Sequence, residues 1–145
     1  NREYIEKQLD TAIKYKDKNQ HVFAIMLDMD HFKSINDAHG HLMGDKVLIA
    51  VSSLLKSVCG KHCSIARYGG DEFIIFGKQT DINIKNLVNV IREKLSLLNK
   101  EIDFGFNISA SIGWATYNGQ GDIYELIKRA DNDMYEEKRI KNQPH

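Results

Sequence analysis

Two short acidic segments contain the side chains of this sequence that are best suited to chemistry. The first is Asp28-Met29-Asp30, which directly follows an apolar run, and the second is Arg67-Tyr68-Gly69-Gly70-Asp71-Glu72-Phe73. Adjacent carboxylates repel each other, and a divalent cation such as Mg²⁺ or Mn²⁺, which prefers oxygen ligands, offsets that repulsion. Ions held in this way neutralise phosphates and polarise an attacking hydroxyl, so the two segments indicate metal-assisted phosphoryl transfer.

The Gly69-Gly70 pair predicts a tight hairpin turn at which the backbone comes close to a bulky ligand. Glycine tolerates positive φ, so we expect the pair to use that freedom and to place Asp71 and Glu72 at an exposed tip. If the strand ending at Asp28 pairs beside this hairpin, three or four carboxylates converge on one cation. Two simpler interpretations stay open: a solvated acidic turn, and aspartates of the first segment that cap the next helix.

Hydrophobic periodicity identifies the elements that must position these groups. Helical spacing extends over residues 2–17, 31–37 and 44–59, over a segment begun at Asp81 or Asn83, and over one begun at Asp122. Strand patterns cover residues 64–68, 73–76, 104–117 and 21–28, and the last of these is apolar nearly throughout, typical of a strand buried on both faces. This order predicts an α+β sheet domain covered by helices, for which the split βαβ plan is a natural candidate.

Composition limits the classes of function. The 145 residues suit one domain with a core, and 20 basic side chains balance 20 acidic ones, which argues against a nucleic-acid partner. No apolar run approaches the roughly 20 residues that span a bilayer, and no signal peptide is visible, so we expect a cytoplasmic domain without direct membrane contact. Cys59 and Cys63, with His62 between them, form a poor metal site, and buried or idle thiols are expected instead.

Several spaced motifs together resemble the GGDEF-domain family of bacterial diguanylate cyclases. The matching motifs cover nearly the whole chain and comprise residues 28–37, Gly40-His41, Gly44-Asp45, residues 67–73, residues 111–115, Ala130-Asp131, Met134-Tyr135 and Lys138. The resemblance implies an α+β sandwich whose central, mainly antiparallel sheet is flanked by helices, as in nucleotidyl cyclases and polymerase palm domains. It also implies that residues 1–145 are a single output domain of a longer sensor protein. The usual lead-in motif of the family is present here only as Asn1-Arg2.

The resemblance further implies a metal site for Mg²⁺ or Mn²⁺. Its ligands would be Asp28, the backbone carbonyl of Met29, and Asp71. Glu72 would serve as a further ligand or as the general base, and Arg67 as a cation that stabilises the transition state. The catalytic set implied by the family is therefore Arg67, Asp71 and Glu72.

GTP is the substrate that the resemblance implies. The residues that would bind it are His31, Phe32, Lys33, Asn36, Asp45, Gly69, Gly70 and Lys138. The amide of Asn36 beside the carboxylate of Asp45 can satisfy the guanine edge, and backbone amides from His31 to Lys33 at a helix start favour phosphate. Simpler alternatives remain: Lys33 and Lys138 as solvated charges, Asn36 as a helix cap, and Gly40 and Gly44 as packing residues.

The sequence departs from the family pattern at two places. Family members often carry Arg-x-x-Asp as a product-inhibition site, and Gly60 and Cys63 occupy those positions here, so we expect that site to be absent. After Lys138 the family usually has Gly-Arg-Asn, whereas this chain has Arg139-Ile140-Lys141-Asn142. The second phosphate-binding cation is thus uncertain, and Arg139 and Lys141 are open candidates to replace it.

The expected function is the condensation of two GTP molecules into cyclic di-GMP and two pyrophosphates across a head-to-head homodimer, stable or transient, regulated by an upstream sensor or dimerisation domain. Two alternatives stay open at this point. One is a catalytically weak module that binds GTP and regulates a neighbour. The other is a related cyclase that makes other purine nucleotides or dinucleotides.

Overall fold

The computed structural model describes residues 1–79 and 83–142. The helices are α1 (Arg2–Lys14), α2 (Phe32–His39), α3 (His41–Cys59), α4 (Ile84–Glu101) and α5 (Ile123–Lys141). The strands are β1 (His21–Met29), β2 (Ser64–Arg67), β3 (Glu72–Gln79) and β4 (Ala110–Thr116). The order expected from periodicity is confirmed, and several element boundaries differ.

The larger boundary differences concern α1, which ends at Lys14 rather than residue 17, and α3, β3 and β4. Helix α3 begins at His41 rather than residue 44, β3 continues past residue 76, and β4 occupies only the second half of the predicted 104–117 segment. At α4 the side chain of Asn83 accepts a hydrogen bond from the Asn86 amide, as a capping residue should, while Asp81 lies outside the described residues. Asp122 caps α5 as predicted by accepting from the Glu125 amide at 3.1 Å.

The four strands form one antiparallel sheet in the order β2-β3-β1-β4. Because β3 is antiparallel to both β1 and β2, those two strands run parallel to each other with β3 between them. This is the split βαβ plan, and the predicted α+β fold is confirmed. The register places Asp28 of β1 opposite Glu72 of β3 on one side and opposite Ser111 of β4 on the other.

Strand β1 is the centre of the core. Its residues Val22–Leu27 are fully buried, as the continuous apolar run predicts. Alternate side chains enter two hydrophobic clusters: Phe23, Ile25 and Leu27 pack with α3 and α4, whereas Val22, Ala24 and Met26 pack with α1 and α5. Burying each large apolar side chain contributes about 1.5–3 kcal/mol, so this strand fixes the sheet between two layers of helices.

Gly113 lets α5 lie directly against β4. A Cβ atom at this position would be 2.0 Å from the Met134 amide nitrogen and 2.4 Å from the Ala130 carbonyl oxygen, both in the backbone of α5. Helix α5 therefore packs backbone to backbone on the strand, and its C-terminal turns extend toward the end of β1.

Trp114 corrects a sequence prediction about β4. The alternating pattern predicts that it shares a buried face with Ile108, Ala110 and Ile112, and those three are indeed buried. Trp114 itself is 36% exposed, because β4 is the last strand of the sheet and its ring borders an open groove beside Ile140. Within residues 1–79 and 83–142, no helix combines the length and apolar content needed to cross a bilayer.

Candidate active site

The two acidic segments meet where β1 ends and β3 begins. Asp28 and Glu72 are direct partners in the β1–β3 ladder, and the Met29 amide donates to the Asp71 carbonyl oxygen at 3.1 Å. The Asp71 carboxyl is close enough for its negative charge to raise the pKa of Asp28. The structure thus brings Asp28, Asp71 and Glu72 together at one end of the central strands β1 and β3, as expected if the hairpin pairs beside the first strand.

Asp28 is the most constrained carboxylate of this group. Burial raises its pKa, the hydrogen bond from Lys138 opposes that rise, and the negative charge of Asp71 adds to it. Its Oδ2 accepts from Lys138 Nζ at 2.5 Å, whereas its Oδ1 is buried and has no hydrogen-bond partner. A buried oxygen without a partner costs about 1–3 kcal/mol, so Asp28 has the capacity for one further cationic or donating contact.

Glu72 also holds its proton more tightly than a free glutamate. Burial raises its pKa most, and the nearby charges of Asp131 and Asp28 raise it further, while Arg2 lowers it. A higher pKa brings a carboxylate closer to the range in which it accepts protons effectively near neutral pH. The environment therefore suits the general-base role that the resemblance implies.

A ready-made metal cage is not part of this arrangement. In the described portion of the chain, no three His, Cys, Asp or Glu residues are grouped as a metal site. The Lys138 ammonium forms an ion pair with Asp28. The donors nevertheless fit a hard divalent ion, since they are carboxylate oxygens and one of them, Asp28 Oδ1, is buried without a partner.

The hairpin turn corrects one expectation from sequence. Neither Gly69 nor Gly70 adopts positive φ. The turn closes instead by hydrogen bonds from the Tyr68 and Gly69 amides to the Glu72 carbonyl oxygen, at 2.8 and 3.3 Å. The glycines matter here because they lack a side chain: a Cβ at Gly69 would be 3.3 Å from Glu72 Oε2, and the space around Gly70 is open.

Asp30 belongs to a separate buried network. It is only 7% exposed and accepts hydrogen bonds from Ser109 Oγ and Ser111 Oγ, both at 2.7 Å, and from Lys141 Nζ at 2.9 Å. Burial alone would raise its pKa, but these three donors outweigh it and lower the pKa. The expectation that Asp30 joins the cation cluster is wrong, because its oxygens accept hydrogen bonds from Ser109, Ser111 and Lys141. The expectation that it caps the next helix is also wrong, because the N-cap of α2 is His31.

The same network includes Lys141, one of the two candidates for the second phosphate cation, whose identity stays a prediction. Lys141 donates to Asp30 and to the Ala110 carbonyl oxygen at 2.6 Å, so its ammonium is committed to the end of the sheet. Arg139 forms an ion pair with Glu136 on the exposed face of α5. Both candidate replacements are therefore engaged elsewhere, and Lys138 is the cation of this segment that reaches the acidic site.

The predicted guanine-reading pair lies on α2 and α3. The Asn36 side chain packs against Gly44, where a Cβ would be 1.9 Å from Asn36 Oδ1, and that oxygen is buried without a partner. Asp45 follows Gly44 and is exposed. Because Asn36 lies inside α2, the alternative that it caps a helix is wrong.

An open cavity of about 480 Å³ lies beside this pair, between α3 and the hairpin. Asp45 and Arg67 both line it, together with Leu48, Ile49, Ser52, Ser53 and Lys56. Arg67 is exposed, and its Nη2 donates to the Gly70 carbonyl oxygen at 2.5 Å. This bond holds the guanidinium at the turn, and Arg67 also lines the cavity.

Helix α2 begins where the phosphate cradle is predicted. Its N-cap, His31, has φ 56° and makes no side-chain capping bond, so its side chain does not satisfy the first amides. Phe32 packs against the core and Lys33 is exposed. The phosphate-binding roles of these residues and of Lys138 stay predictions.

Sequence reasoning missed several residues that shape the site. Ser109, just before β4, and Ser111, within it, are two residues apart, and this spacing of hydroxyls is the available signal for the Asp30 network. Arg2, Glu6 and Asp131 come from the first and last helices, and no local pattern links them to the hairpin. Their proximity arises only from tertiary packing.

Comparison with known proteins supports this arrangement. The family model described as "Diguanylate cyclase, GGDEF domain" matches residues 1–144. The chain is 37% identical over 127 residues to diguanylate cyclase VdcA of Vibrio cholerae, covering 83% of this chain and 37% of that protein. It is 36% identical over 115 residues to diguanylate cyclase DgcM of Escherichia coli K12, covering 79% of this chain and 28% of that protein.

Solved structures agree in fold. The GGDEF domain of DgcB from Caulobacter crescentus, in complex with c-di-GMP, aligns with a TM-score of 0.84 at 28% identity over 96% of this chain and 85% of that one. The active GGEEF domain of a diguanylate cyclase from Vibrio cholerae gives 0.81 at 30% identity over 96% and 90%. The chain spans about a third of the curated relatives VdcA and DgcM. It belongs to the diguanylate cyclase GGDEF-domain family.

Proposed function

We propose that this domain condenses two molecules of GTP into cyclic di-GMP and two pyrophosphates. The observation that carries the proposal is the convergence of Asp28, Asp71 and Glu72 at one end of the central strands β1 and β3, with Asp28 Oδ1 buried and unpartnered. The family and the named relatives support the same activity. In each half-reaction a 3′ oxygen forms a bond to the α-phosphorus of the other nucleotide, and the bond to pyrophosphate breaks.

The acidic residues fit a divalent cation, Mg²⁺ or Mn²⁺. Asp28, Asp71, the Met29 carbonyl and Glu72 would hold it, and it would supply charge neutralisation for the phosphates and a polarised hydroxyl. Glu72 would accept the proton of the attacking 3′ hydroxyl, helped by its raised pKa. Lys138, already at Asp28, would contact the phosphates, and Arg67 would face the negative charge that develops at the turn.

Substrate choice would be made on α2 and α3. The Asn36 amide and the Asp45 carboxylate would pair with the guanine edge, which presents one acceptor and two donors. The buried, unpartnered Asn36 Oδ1 supports this role, since a guanine N–H would satisfy it. The backbone amides at the start of α2 would hold the phosphates.

Two copies of the domain would act together. Each copy would present one GTP, and the attacking hydroxyl and the attacked phosphorus would come from different copies. A two-fold head-to-head arrangement places one such site against its own copy. The rate would then depend on the effective concentration of the second copy, and an upstream domain that pairs the chains would set it.

The decisive experiment measures product formation from GTP and Mg²⁺ as a function of protein concentration. We expect cyclic di-GMP, a rate that rises more steeply than the first power of protein, and no product without a divalent ion. Glu72→Gln should lower turnover by about 10²–10⁴-fold, as loss of a general base does. Glu136→Gln is a matched control, because Glu136 is exposed on α5 and paired with Arg139. Full turnover by Glu72→Gln would refute the assigned role.

A second candidate function is a GTP-binding regulatory module with little turnover. The engagement of Lys141 with Asp30 and of Arg139 with Glu136 favours it, because both would otherwise be available to phosphates. GTP binding without product at every protein concentration would establish this alternative. Competition by ATP as strong as that by GTP would instead indicate a related cyclase of broader purine specificity.

A further inference from the structure

The base of the Gly-Gly hairpin is tied to α1 by three polar contacts. Tyr68, the residue before Gly69, is 9% exposed. Its hydroxyl donates to Glu6 Oε1 at 2.9 Å, and its carbonyl oxygen accepts from Arg2 Nε at 2.8 Å. The Arg2 guanidinium also lies over the Tyr68 ring, 4.3 Å from its centroid. Backbone and side chain of this one residue are thus both held by the first helix.

Glu6 connects the hairpin with a second helix. Its Oε2 accepts from the hydroxyl of Tyr124 in α5 at 3.2 Å, while Oε1 accepts from Tyr68. The two phenols therefore share one carboxylate but differ in what they anchor. Tyr68 leads into the acidic turn, whereas Tyr124 is exposed and distant from it in sequence.

Apolar packing alone would hold α1 on the sheet. Ile5 and Leu9 are buried against Val22, Ala24 and Met26, and this contact needs no polar bond to the hairpin. The contacts from Arg2 and Glu6 instead reach the residue whose amide closes the turn onto Glu72. Their effect is thus local to the turn, in addition to the stability of the helix.

We infer that Glu6 and Arg2 are positioning residues that hold the acidic turn in register with β1. The path is short: Tyr68 is fixed by α1, its amide bonds to the Glu72 carbonyl, and the Asp71 carbonyl accepts from the Met29 amide next to Asp28. Loosening Tyr68 lets the turn move relative to Asp28 without unfolding the sheet. The catalytic part of this inference depends on the proposed function, whereas the structural part does not.

The test compares two variants that each delete one hydroxyl from the same carboxylate. Tyr68→Phe removes the bond that reaches the turn and keeps the buried ring; Tyr124→Phe removes the other bond and is the control. Amide hydrogen exchange, read by NMR on the nucleotide-free protein, should accelerate about fivefold at Gly69 and Met29 in Tyr68→Phe, the loss expected for one hydrogen bond. Tyr124→Phe should leave both amides unchanged.

Steady-state kinetics give a second readout that simple destabilisation would not reproduce. In Tyr68→Phe, kcat for GTP condensation should fall about tenfold while KM changes less than twofold, since misplacement affects the reacting groups more than substrate binding. Glu6→Ala should match it, and Glu6→Gln, which retains an acceptor oxygen, should recover most of the loss. Arg2→Met, which keeps an unbranched side chain but loses both the donor and the guanidinium over the ring, should show the same pattern.

The outcomes separate this inference from the proposed function. Unchanged exchange at Gly69 and Met29 in Tyr68→Phe, or equal acceleration in Tyr124→Phe, would overturn the positioning role whatever the activity. Selective acceleration in a protein that binds GTP without product would support the positioning role and refute the cyclase. A fall in kcat with unchanged exchange would overturn it as well, because the proposed path runs through the turn.

Discussion

Gly44→Ala is a small change with a calculable effect on substrate recognition. The new methyl group would lie 1.9 Å from Asn36 Oδ1 and 3.0 Å from Asn36 Cγ, far inside contact distance. The obstacle is the end of a side chain rather than backbone, so the Asn36 amide must rotate away while α3 keeps its course. The substitution therefore displaces one recognition group and leaves the fold in place.

Two opposing terms decide its effect on stability. Replacing glycine by alanine inside a helix gains roughly 0.5–1 kcal/mol, and forcing Asn36 off its rotamer costs about 0.5–1.5 kcal/mol. The free energy of unfolding should therefore change by less than about 1 kcal/mol. GTP affinity should fall far more, because an unpaired buried polar contact costs about 1–3 kcal/mol, a factor of roughly ten to a hundred in Kd.

A double-mutant cycle isolates the mechanism. GTP titration by calorimetry on the wild type, Gly44→Ala, Asn36→Ala and the double variant should give two equal single losses and a double variant no worse than Asn36→Ala. With Asn36 removed, Gly44→Ala should be mildly stabilising in urea unfolding. Retention of wild-type GTP affinity by Gly44→Ala would refute the view that Asn36 reads the base from its observed position.

Two further predictions concern buried charge. Asp30→Asn should lower the free energy of unfolding by about 2–3 kcal/mol at pH 7, since it leaves Lys141 facing a neutral partner. Because the pKa of Asp30 is lowered in the fold, its contribution is fully present above its ordinary value of 3.8 and is lost as the pH falls through the lowered pKa, so the difference in urea unfolding should shrink progressively as the pH is brought below 3.8. Glu72→Gln should be more stable than the wild type at pH 8 without metal, because the raised pKa of Glu72 means that its ionised form destabilises the folded state there. In thermal unfolding this advantage should vanish below the ordinary pKa of glutamate, 4.5.

The sequence predicts the fold well because its strongest patterns are those of burial. The continuous apolar run of β1 identifies a strand covered on both faces, and the helical spacing from Val47 to Leu55 identifies the long helix beside it. The sequence also states the condition under which Asp28 meets the acidic hairpin, namely that the strand ending at Asp28 pairs beside it. The antiparallel β1–β3 pairing, in which Asp28 lies opposite Glu72, meets that condition.

Details that depend on tertiary contact escape such patterns. Asp28 and Asp30 are two residues apart and look equivalent, yet one is held by Lys138 and the other by Lys141 and two serines. Which lysine meets which aspartate is set by the placement of α5, and this is a property of packing. The turn glycines illustrate the same point, because their residue type suggests positive φ whereas the fold uses their missing side chains.

The absence of a side chain at position 113 has a consequence for the chemistry at the other end of α5. With the Met134 amide nitrogen only 2.0 Å from where a Cβ would stand, the backbone of α5 leaves no room for a side chain at this position of β4. Lys138 and Lys141 lie one and two turns beyond Met134 on the same helix, where they bind Asp28 and Asp30 respectively. A methyl group at position 113 would push α5 away from β4 and withdraw both ammonium groups from their aspartates together. A residue without functional groups therefore sets the charge balance of two carboxylates.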